Sequence, residues 1–210
     1  MIEIRHRETG DVLLRVEGLS LRGHTFDGLK LAGADLTGLD LSDVDFRNCD
    51  LQEADLRGVT GIRAVFKSSL MRGSLFIEAN LVEADFTDAL LENCQFCDAN
   101  LTGATFRYAR LASSDLSGAN LTGADLSVAD LRCNLNDANL TQADLRGADL
   151  TGANLTGANL TMANMFDAKL ADAQMARVKM EGAIGPHGQR IGAPTATRKA
   201  TRRWWQFWAS

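Results

Sequence analysis

Large apolar residues recur at every fifth position through most of the chain. Leu36, Leu41, Phe46, Leu51 and Leu56 belong to this series, and Ala119-Asn120-Leu121-Thr122-Gly123-Ala124-Asp125-Leu126 shows two successive units side by side. Two positions before each central residue sits a small one, such as Ala34, Ala54, Ala84, Ala99 or Ala124, with Asp or Asn between them. The pattern runs from about Leu19 to Ala183. An amphipathic helix repeats near 3.6 residues and a half-buried strand at 2.0. A strict period of five fits neither, and it predicts a solenoid in which each unit forms one side of a coil.

The aromatic positions give the number of sides. Phe26, Phe46, Phe66, Phe86 and Phe106 follow one another at every twentieth position, and Phe76 and Phe96 form a second series at the same interval. Aromatic rings gain from stacking on one another, so aligned Phe residues predict a coil of four units. Asn80, Asn100 and Asn120 repeat the interval, and Asn139 and Asn159 continue it after one step that is shorter by one. That short step coincides with Leu131-Arg132-Cys133-Asn134-Leu135, where the repeat lacks one residue. Stacked Asn amides predict a hydrogen-bonded ladder along one face.

This A(D/N)LXX repeat resembles the pentapeptide-repeat family over most of the chain. The resemblance implies an all-β fold, a right-handed quadrilateral β-helix with four pentapeptides per coil. The central residue and the small residue two before it would point inward and the other three outward. With one coil per strand spacing, about eight coils make a rod of roughly 40 Å.

The ends depart from the rule, and three segments result: a β-hairpin cap over 1–18, the repeat over 19–183, and a tail over 184–210. Ile2, Ile4 and His6 alternate, as do Val12, Leu14 and Val16, around the turn Glu8-Thr9-Gly10-Asp11. Such a hairpin covers strand edges that would otherwise invite association. The first units carry bulkier inward residues: Leu19, His24, Leu29, Leu39 and Val44. His24 is expected to be a polar residue satisfied near the cap. Gly61 leaves one central slot empty, which predicts a local bend that lets Val59 or Ile62 fill it. Towards the end the central residues become Met165, Met175 and Met180, a side chain that adapts to irregular gaps. Both prolines, Pro186 and Pro194, fall after the repeat.

Charge divides along the same lines. The net charge is −5. Acids outnumber bases within the repeat, whereas the tail carries Arg190, Arg198, Lys199, Arg202 and Arg203 and no acid. Cys49, Cys94 and Cys133 fall in the small inward slot, where a thiol acts as a small hydrophobe. Cys94-Gln95-Phe96-Cys97 spells C-x-x-C, but the repeat turns Cys94 inward and Cys97 outward, so no disulfide or metal site is expected. The three histidines, His6, His24 and His187, stand in no catalytic motif, and no phosphate loop or metal-ligand cluster is present. These observations predict a protein that is not an enzyme and takes no cofactor or metal. The absence of a long apolar run and of a leader-like N-terminus makes cytoplasmic and bacterial the expected setting.

The function expected is an interaction rod that binds a protein partner through its surface. An alternative follows from the acidic rod and the resemblance: some members of the family mimic DNA, bind DNA gyrase and confer quinolone resistance. Against this, Asp45, Asp85 and Asp125 sit two coils apart on one face, while duplex DNA carries one charge per ~1.7 Å of axis. The tail residues Arg198, Lys199, Arg202, Arg203, Trp204, Trp205, Phe207 and Trp208 form the candidate interaction site. They would cap the last coil, form a homodimer, dock a partner, or tether the rod peripherally to a membrane, since Trp and basic residues favour an anionic interface. The acidic body disfavours direct DNA binding.

Overall fold

The structure, a computed structural model, describes residues 1–192. Each unit of five is one short strand position and one corner. In Leu41-Ser42-Asp43-Val44-Asp45, Leu41 and Val44 are fully buried. Asp43 adopts φ +61°, and the Val44 N–H donates to the Leu41 carbonyl at 3.1 Å. A single left-handed residue at the third position of a four-residue turn is the mark of a type II turn. Asp45 then bridges Thr25 of the preceding coil and Val65 of the following one in parallel. The Phe46 N–H donates to the Val65 carbonyl (2.7 Å), and the Val65 N–H donates to the Val44 carbonyl (2.9 Å).

The same parallel bridges recur in four series, starting at Thr25–Asp45, Lys30–Asp50, Asp35–Asp55 and Asp40–Thr60, each joining a residue to the twentieth beyond it. The coil therefore has four sides, and the architecture is a β-helix. At the defect, from Asp115–Asn134 through Asp130–Asp149, each bridge reaches one position less far, and the full step returns at Asn134–Asn154. Here the Cys133 N–H reaches the Leu131 carbonyl (2.8 Å) in place of the usual four-residue turn. Left-handed corners occur at Val128 and at Asp137 with none between. The lost residue is thus a corner residue, which carries no core side chain, and the inward register survives.

The interior is a stack of layers built on the same slots. Phe46, Phe66, Phe86 and Phe106 lie face to face at 4.8–5.6 Å, and Phe76 lies on Phe96 at 4.5 Å. The two columns meet edge-on at 5.8–6.1 Å, so Phe86 touches rings on several sides. Each buried aromatic or Leu contributes ~1.5–3 kcal/mol before entropy is subtracted. In several small slots that hold Ser or Cys, the side chain ties coils together. Ser69 Oγ donates to the Phe46 carbonyl (2.7 Å), Ser114 Oγ to the Leu91 carbonyl (2.6 Å), and Cys94 Sγ to the Met71 carbonyl (2.9 Å). These carbonyls already accept the turn amide, and the second lone pair takes the side chain.

At the N-terminal end, β1 (Ile2–His6) and β2 (Val12–Val16) pair antiparallel, with a register shift between Ile4 and Arg5. β1 also pairs antiparallel with β3 (Ala34–Asp35) in the first coils, giving the order β2-β1-β3. Ile4 is buried beneath this junction. His24 is half-buried, with its Nδ1 3.0 Å from the Leu21 carbonyl and its ring stacked on Phe26.

Two expectations need correction. Leu19 does not point inward: it is 97% exposed. The first complete turn is closed by the His24 N–H on the Leu21 carbonyl, so Leu19 precedes the first corner and has no coil above it to pack against. Gly61 does not bend its coil. Thr60 keeps both bridges, to Asp40 and Asn80, and Ile62 stays in an outward slot. The vacancy is filled from the next layer, where Leu81 Cδ2 lies 2.9 Å from the point a Cβ on Gly61 would occupy.

The corner conformation makes an opposed pair of predictions. Val128 holds φ +59° with a β-branched side chain, a costly combination. Val128→Gly is expected to raise stability by about 1 kcal/mol, seen as a higher melting temperature. Gly33→Ala is expected to lower it by more than Gly123→Ala does. Both glycines are left-handed, but a Cβ at Gly33 would collide with the His6 ring, whereas nothing lies within 4 Å at Gly123.

Candidate protein-interaction surface

In each unit the residue before the centre and the residue after it project from the same side, since alternate residues of an extended segment share a face. The two side chains therefore meet, and the sequence exploits this as a repeated bracket. Arg57 Nε donates to both Asp55 oxygens (2.9 and 3.1 Å), with Nη2 at 2.6 Å from Oδ2. Arg146 clasps Asp144 in the same way, Arg132 clasps Asp130, and Arg47 clasps Asp45. In each pair the arginine hydrogen bond holds the carboxyl below its ordinary range. Where the second position is Thr or Ser, its hydroxyl takes the same role: Thr37 on Asp35 (2.7 Å), Thr87 on Asp85 (2.5 Å), Ser127 on Asp125 (2.6 Å). Longer reaches join coils. Asp43 receives both Arg22 and Arg63, and Glu92 receives both Arg72 and Arg110. Many of the rod's acids are thus matched by a cation on the rod itself.

The Asn face is neutral, and the expected amide-to-amide bonds, Asn100 on Asn80 and Asn139 on Asn120, are joined by a shorter relay through Thr. Asn139 Nδ2 donates to Thr122 Oγ1 (2.9 Å), whose hydroxyl donates to Asn120 Oδ1 (2.6 Å). The direct bond between Asn139 and Asn120 is longer, at 3.4 Å. Asn159 through Thr141 and Asn120 through Thr102 repeat the relay. The Thr two residues on lies closer to the next amide than the Asn itself does, and relayed bonds polarise one another.

One zone breaks this polar pattern. Between residues 60 and 92 the outward slots hold Ile62, Val65, Leu70, Leu75, Ile77, Val82 and Leu90. In the preceding coils those slots hold mainly Asp, Thr, Arg and Lys, and in the following coils mainly Asn, Thr, Asp and Arg. Thr60 bridges Asn80 and Leu70 bridges Leu90, so Ile62 follows the same rung as Val82 and Leu70 stacks on Leu90. The result is an apolar belt touching all four sides. Leu70 is 40% exposed and the others are half-buried. Beside it the corner acids Glu78, Glu83 and Asp88, all left-handed, make no ion pair among the described residues. This surface was not anticipated from the sequence, although its signal is there: apolar residues in slots that the repeat assigns to solvent.

The anticipated site, Arg198, Lys199, Arg202, Arg203, Trp204, Trp205, Phe207 and Trp208, lies outside the described residues. The four cysteines are free, with Cys49, Cys94 and Cys133 buried and Cys97 half-buried. Burial pushes the Cys94 thiol up to about 12. Among the described residues no group of His, Cys, Asp or Glu is arranged to hold a metal ion, and no helix is long and apolar enough to cross a membrane. A groove at the hairpin junction, lined by His6, Arg7, Gly33, Gln52 and Glu53, brings Arg7 within 3.7 Å of Glu53.

The brackets fix the response to acid. Carboxyls whose folded pKa is depressed contribute stability above the ordinary carboxylate pKa, and that contribution is lost as pH falls through the lower folded value. The melting temperature is expected to stay level from about pH 8 to about pH 5 and to drop below about pH 4. Arg57→Gln combined with Arg146→Gln is expected to shrink the difference in melting temperature between neutral and acid pH.

Comparison with known proteins agrees with this geometry. A family model for pentapeptide repeats matches residues 17–48 and 133–172 in eight copies, and one for a pentapeptide repeat region matches residues 39–116. No curated protein sequence matches the chain. Among solved structures, HetL, a pentapeptide repeat protein involved in heterocyst differentiation regulation in the cyanobacterium Nostoc sp. strain PCC 7120, is 26% identical. That alignment covers 82% of this chain and 93% of HetL, with a TM-score of 0.51. QnrB1, a plasmid-mediated fluoroquinolone resistance protein, is 22% identical over 77% of this chain and 84% of its own, with a TM-score of 0.47. A pentapeptide repeat protein of the Arabidopsis thaliana thylakoid lumen is 36% identical over 50% of this chain and 71% of its own, with a TM-score of 0.32. The five-residue unit, the four-sided coil and the family models together place the chain in the pentapeptide-repeat family.

Proposed function

We propose that this protein is a non-catalytic interaction rod that binds a protein partner through the apolar belt between Ile62 and Leu90. The belt carries the reading. A contiguous apolar zone rimmed by polar residues marks an interaction surface, whereas single exposed hydrophobics do not. The corner acids Glu78, Glu83 and Asp88, which make no ion pair among the described residues, suit a partner whose apolar anchors are flanked by Lys or Arg. The repeat is a right-handed β-helix of about eight coils, which gives the belt a rigid support. Four free cysteines suit a reducing compartment such as the cytoplasm.

Gyrase binding by DNA mimicry is the competing reading, and the brackets weigh against it. Asp125 stands over Asp144, as a row of phosphates would require. Yet Arg146 clasps Asp144, and Arg107 lies 3.8 Å from Asp125. Such a row presents dipoles to a DNA-binding groove instead of net charge.

A photo-crosslinking residue placed at Leu70 or Val82, in cells, is expected to trap a discrete partner. The same residue at Thr122 or Thr161, on the polar part of the rod, is expected to trap little. Leu70→Glu should abolish the adduct at Val82 without lowering the melting temperature. Equal trapping at all four positions, or adducts confined to Thr122 and Thr161, would overturn the belt reading. Unchanged quinolone susceptibility in a strain overproducing the protein is the outcome expected under the same reading.

A further inference from the structure

Two corners carry side chains that the fold does not ask for. A left-handed φ costs glycine nothing and Asn or Asp little, but it disfavours a bulky or β-branched residue. Tyr108 and Val128 both hold φ +59°. Apart from Met162, every other described residue with a left-handed φ is Gly or polar. The core does not repay this strain, since the two residues are 50% and 52% exposed. The corner at Tyr108 is also loosely held. Its N–H reaches the Ser127 carbonyl at 3.4 Å, where the corner amides of Asp88 and Val128 make the same kind of bond at 2.9 Å.

The two residues are neighbours. The bridges Asp85–Thr105, Thr105–Asp125 and Asp125–Asp144 stack Asp88, Tyr108, Val128 and Gly147 along one edge of the rod. Val128 Cγ2 lies 3.7 Å from the point a Cβ on Gly147 would occupy. Met162 belongs to a different edge. Strained residues that the surrounding structure over-determines gather at binding sites, and here two stand side by side, apolar and in solvent.

The faces on either side of this edge carry Arg107, Arg110, Arg132 and Arg146, paired with Asp125, Glu92, Asp130 and Asp144. In each pair the guanidinium is outermost: the arginine side chains are 49–58% exposed and their carboxylates 12–34%. Each pair engages only some of the five N–H donors of its arginine. Arg107 also lies over the Tyr108 ring, 5.6 Å from its centre, a cation–π contact. An exposed Tyr and Val are thus ringed by guanidinium groups that stand above recessed carboxylates. Tyr and Arg are among the side chains that dominate binding hot spots.

We propose that the edge bearing Tyr108 and Val128 is a second interaction surface, which takes a protein whose apolar recess is rimmed by Asp or Glu. The two side chains project from a corner, so their complement is a recess. Outward guanidinium groups select carboxylates, which they can hold through paired N–H donors. A nucleic acid fits less well, because its charge continues past the patch onto Asp88, which makes no ion pair among the described residues. The surface is separate from the belt, whose corner acids suit the opposite charge, and it does not rest on that reading.

A photo-crosslinking residue at Ala112, which stacks over Arg132 and follows Arg110 on the same side, tests this in cells. It is expected to trap a protein, and the attached segment, mapped by mass spectrometry, is expected to carry Asp or Glu beside apolar residues. Combining Tyr108→Gly with Val128→Gly is expected to cut the adduct on the order of tenfold or more. The melting temperature should stay level or rise, since glycine suits both corners. Arg110→Gln with Arg132→Gln should also weaken the adduct, and Leu70→Glu in the belt should leave it in place. No adduct, an adduct indifferent to the two glycines, a basic attached segment, or an adduct removed by nuclease would each overturn the proposal. So would loss of the adduct with Leu70→Glu, since the edge would then be part of the belt's interface. Failure of trapping at Val82 alone would count against the belt and leave this surface standing.

Discussion

At every regular corner one residue adopts a left-handed φ, as Asp43 and Asn93 do at +61°, and this single requirement organises the molecule. A left-handed residue turns the chain sharply enough that five residues complete a side and four sides complete a coil. It also leaves only two side chains per unit facing inward, one large and one small, because a wider interior would open and a narrower one would clash. Glycine meets the requirement at no steric cost, yet Asp, Asn, Glu and Ser hold many of the corners, and Tyr108 and Val128 hold others. The coil-to-coil hydrogen bonds and the stacked core over-determine the corner, so its strain is tolerated in many places.

The sequence announces this architecture because core and corner repeat through many successive units, with a corner lost only in the stretch 131–135. The evenly spaced Phe series revealed the four-sided coil, and the rings do stack. The failures are equally physical. Leu19 continues the apolar spacing one unit too far, since spacing does not show where the first coil above is missing. Gly61 looked like a gap because a one-dimensional reading does not show that Leu81, a full coil further on, leans into it. The Asn ladder was visible, but its Thr relay depends on how near each hydroxyl comes to the next amide. The belt was legible in principle. Outward slots carry no periodic demand, however, so their content looks like ordinary surface variation.

Two kinds of position are therefore under different control. Inward slots and corners answer to packing and backbone geometry, and a change there is felt by the layers on both sides. Outward slots answer to little within the rod, since an Asp bracketed by Arg, Thr or Ser is satisfied locally. They are free to carry recognition, and the apolar belt is where that freedom is used most conspicuously. The brackets have the opposite effect. By matching carboxylates such as Asp45, Asp55, Asp130 and Asp144 with a neighbouring arginine they quieten charge at those positions, whereas the belt interrupts the polar pattern with apolar side chains.

The missing corner residue in the stretch 131–135 has a consequence for how such a rod changes in length. Because a coil is closed by four units, gaining or losing a whole unit would rotate everything downstream by a quarter turn relative to the belt. Surfaces at the C-terminal end would then address a different direction in space, although each coil remained sound. Losing one corner residue does not do this: Asn120 still stands over Asn139, and Asp125 over Asp144. Angular alignment between distant parts of the rod is thus preserved by a single-residue change and broken by the exchange of a complete repeat.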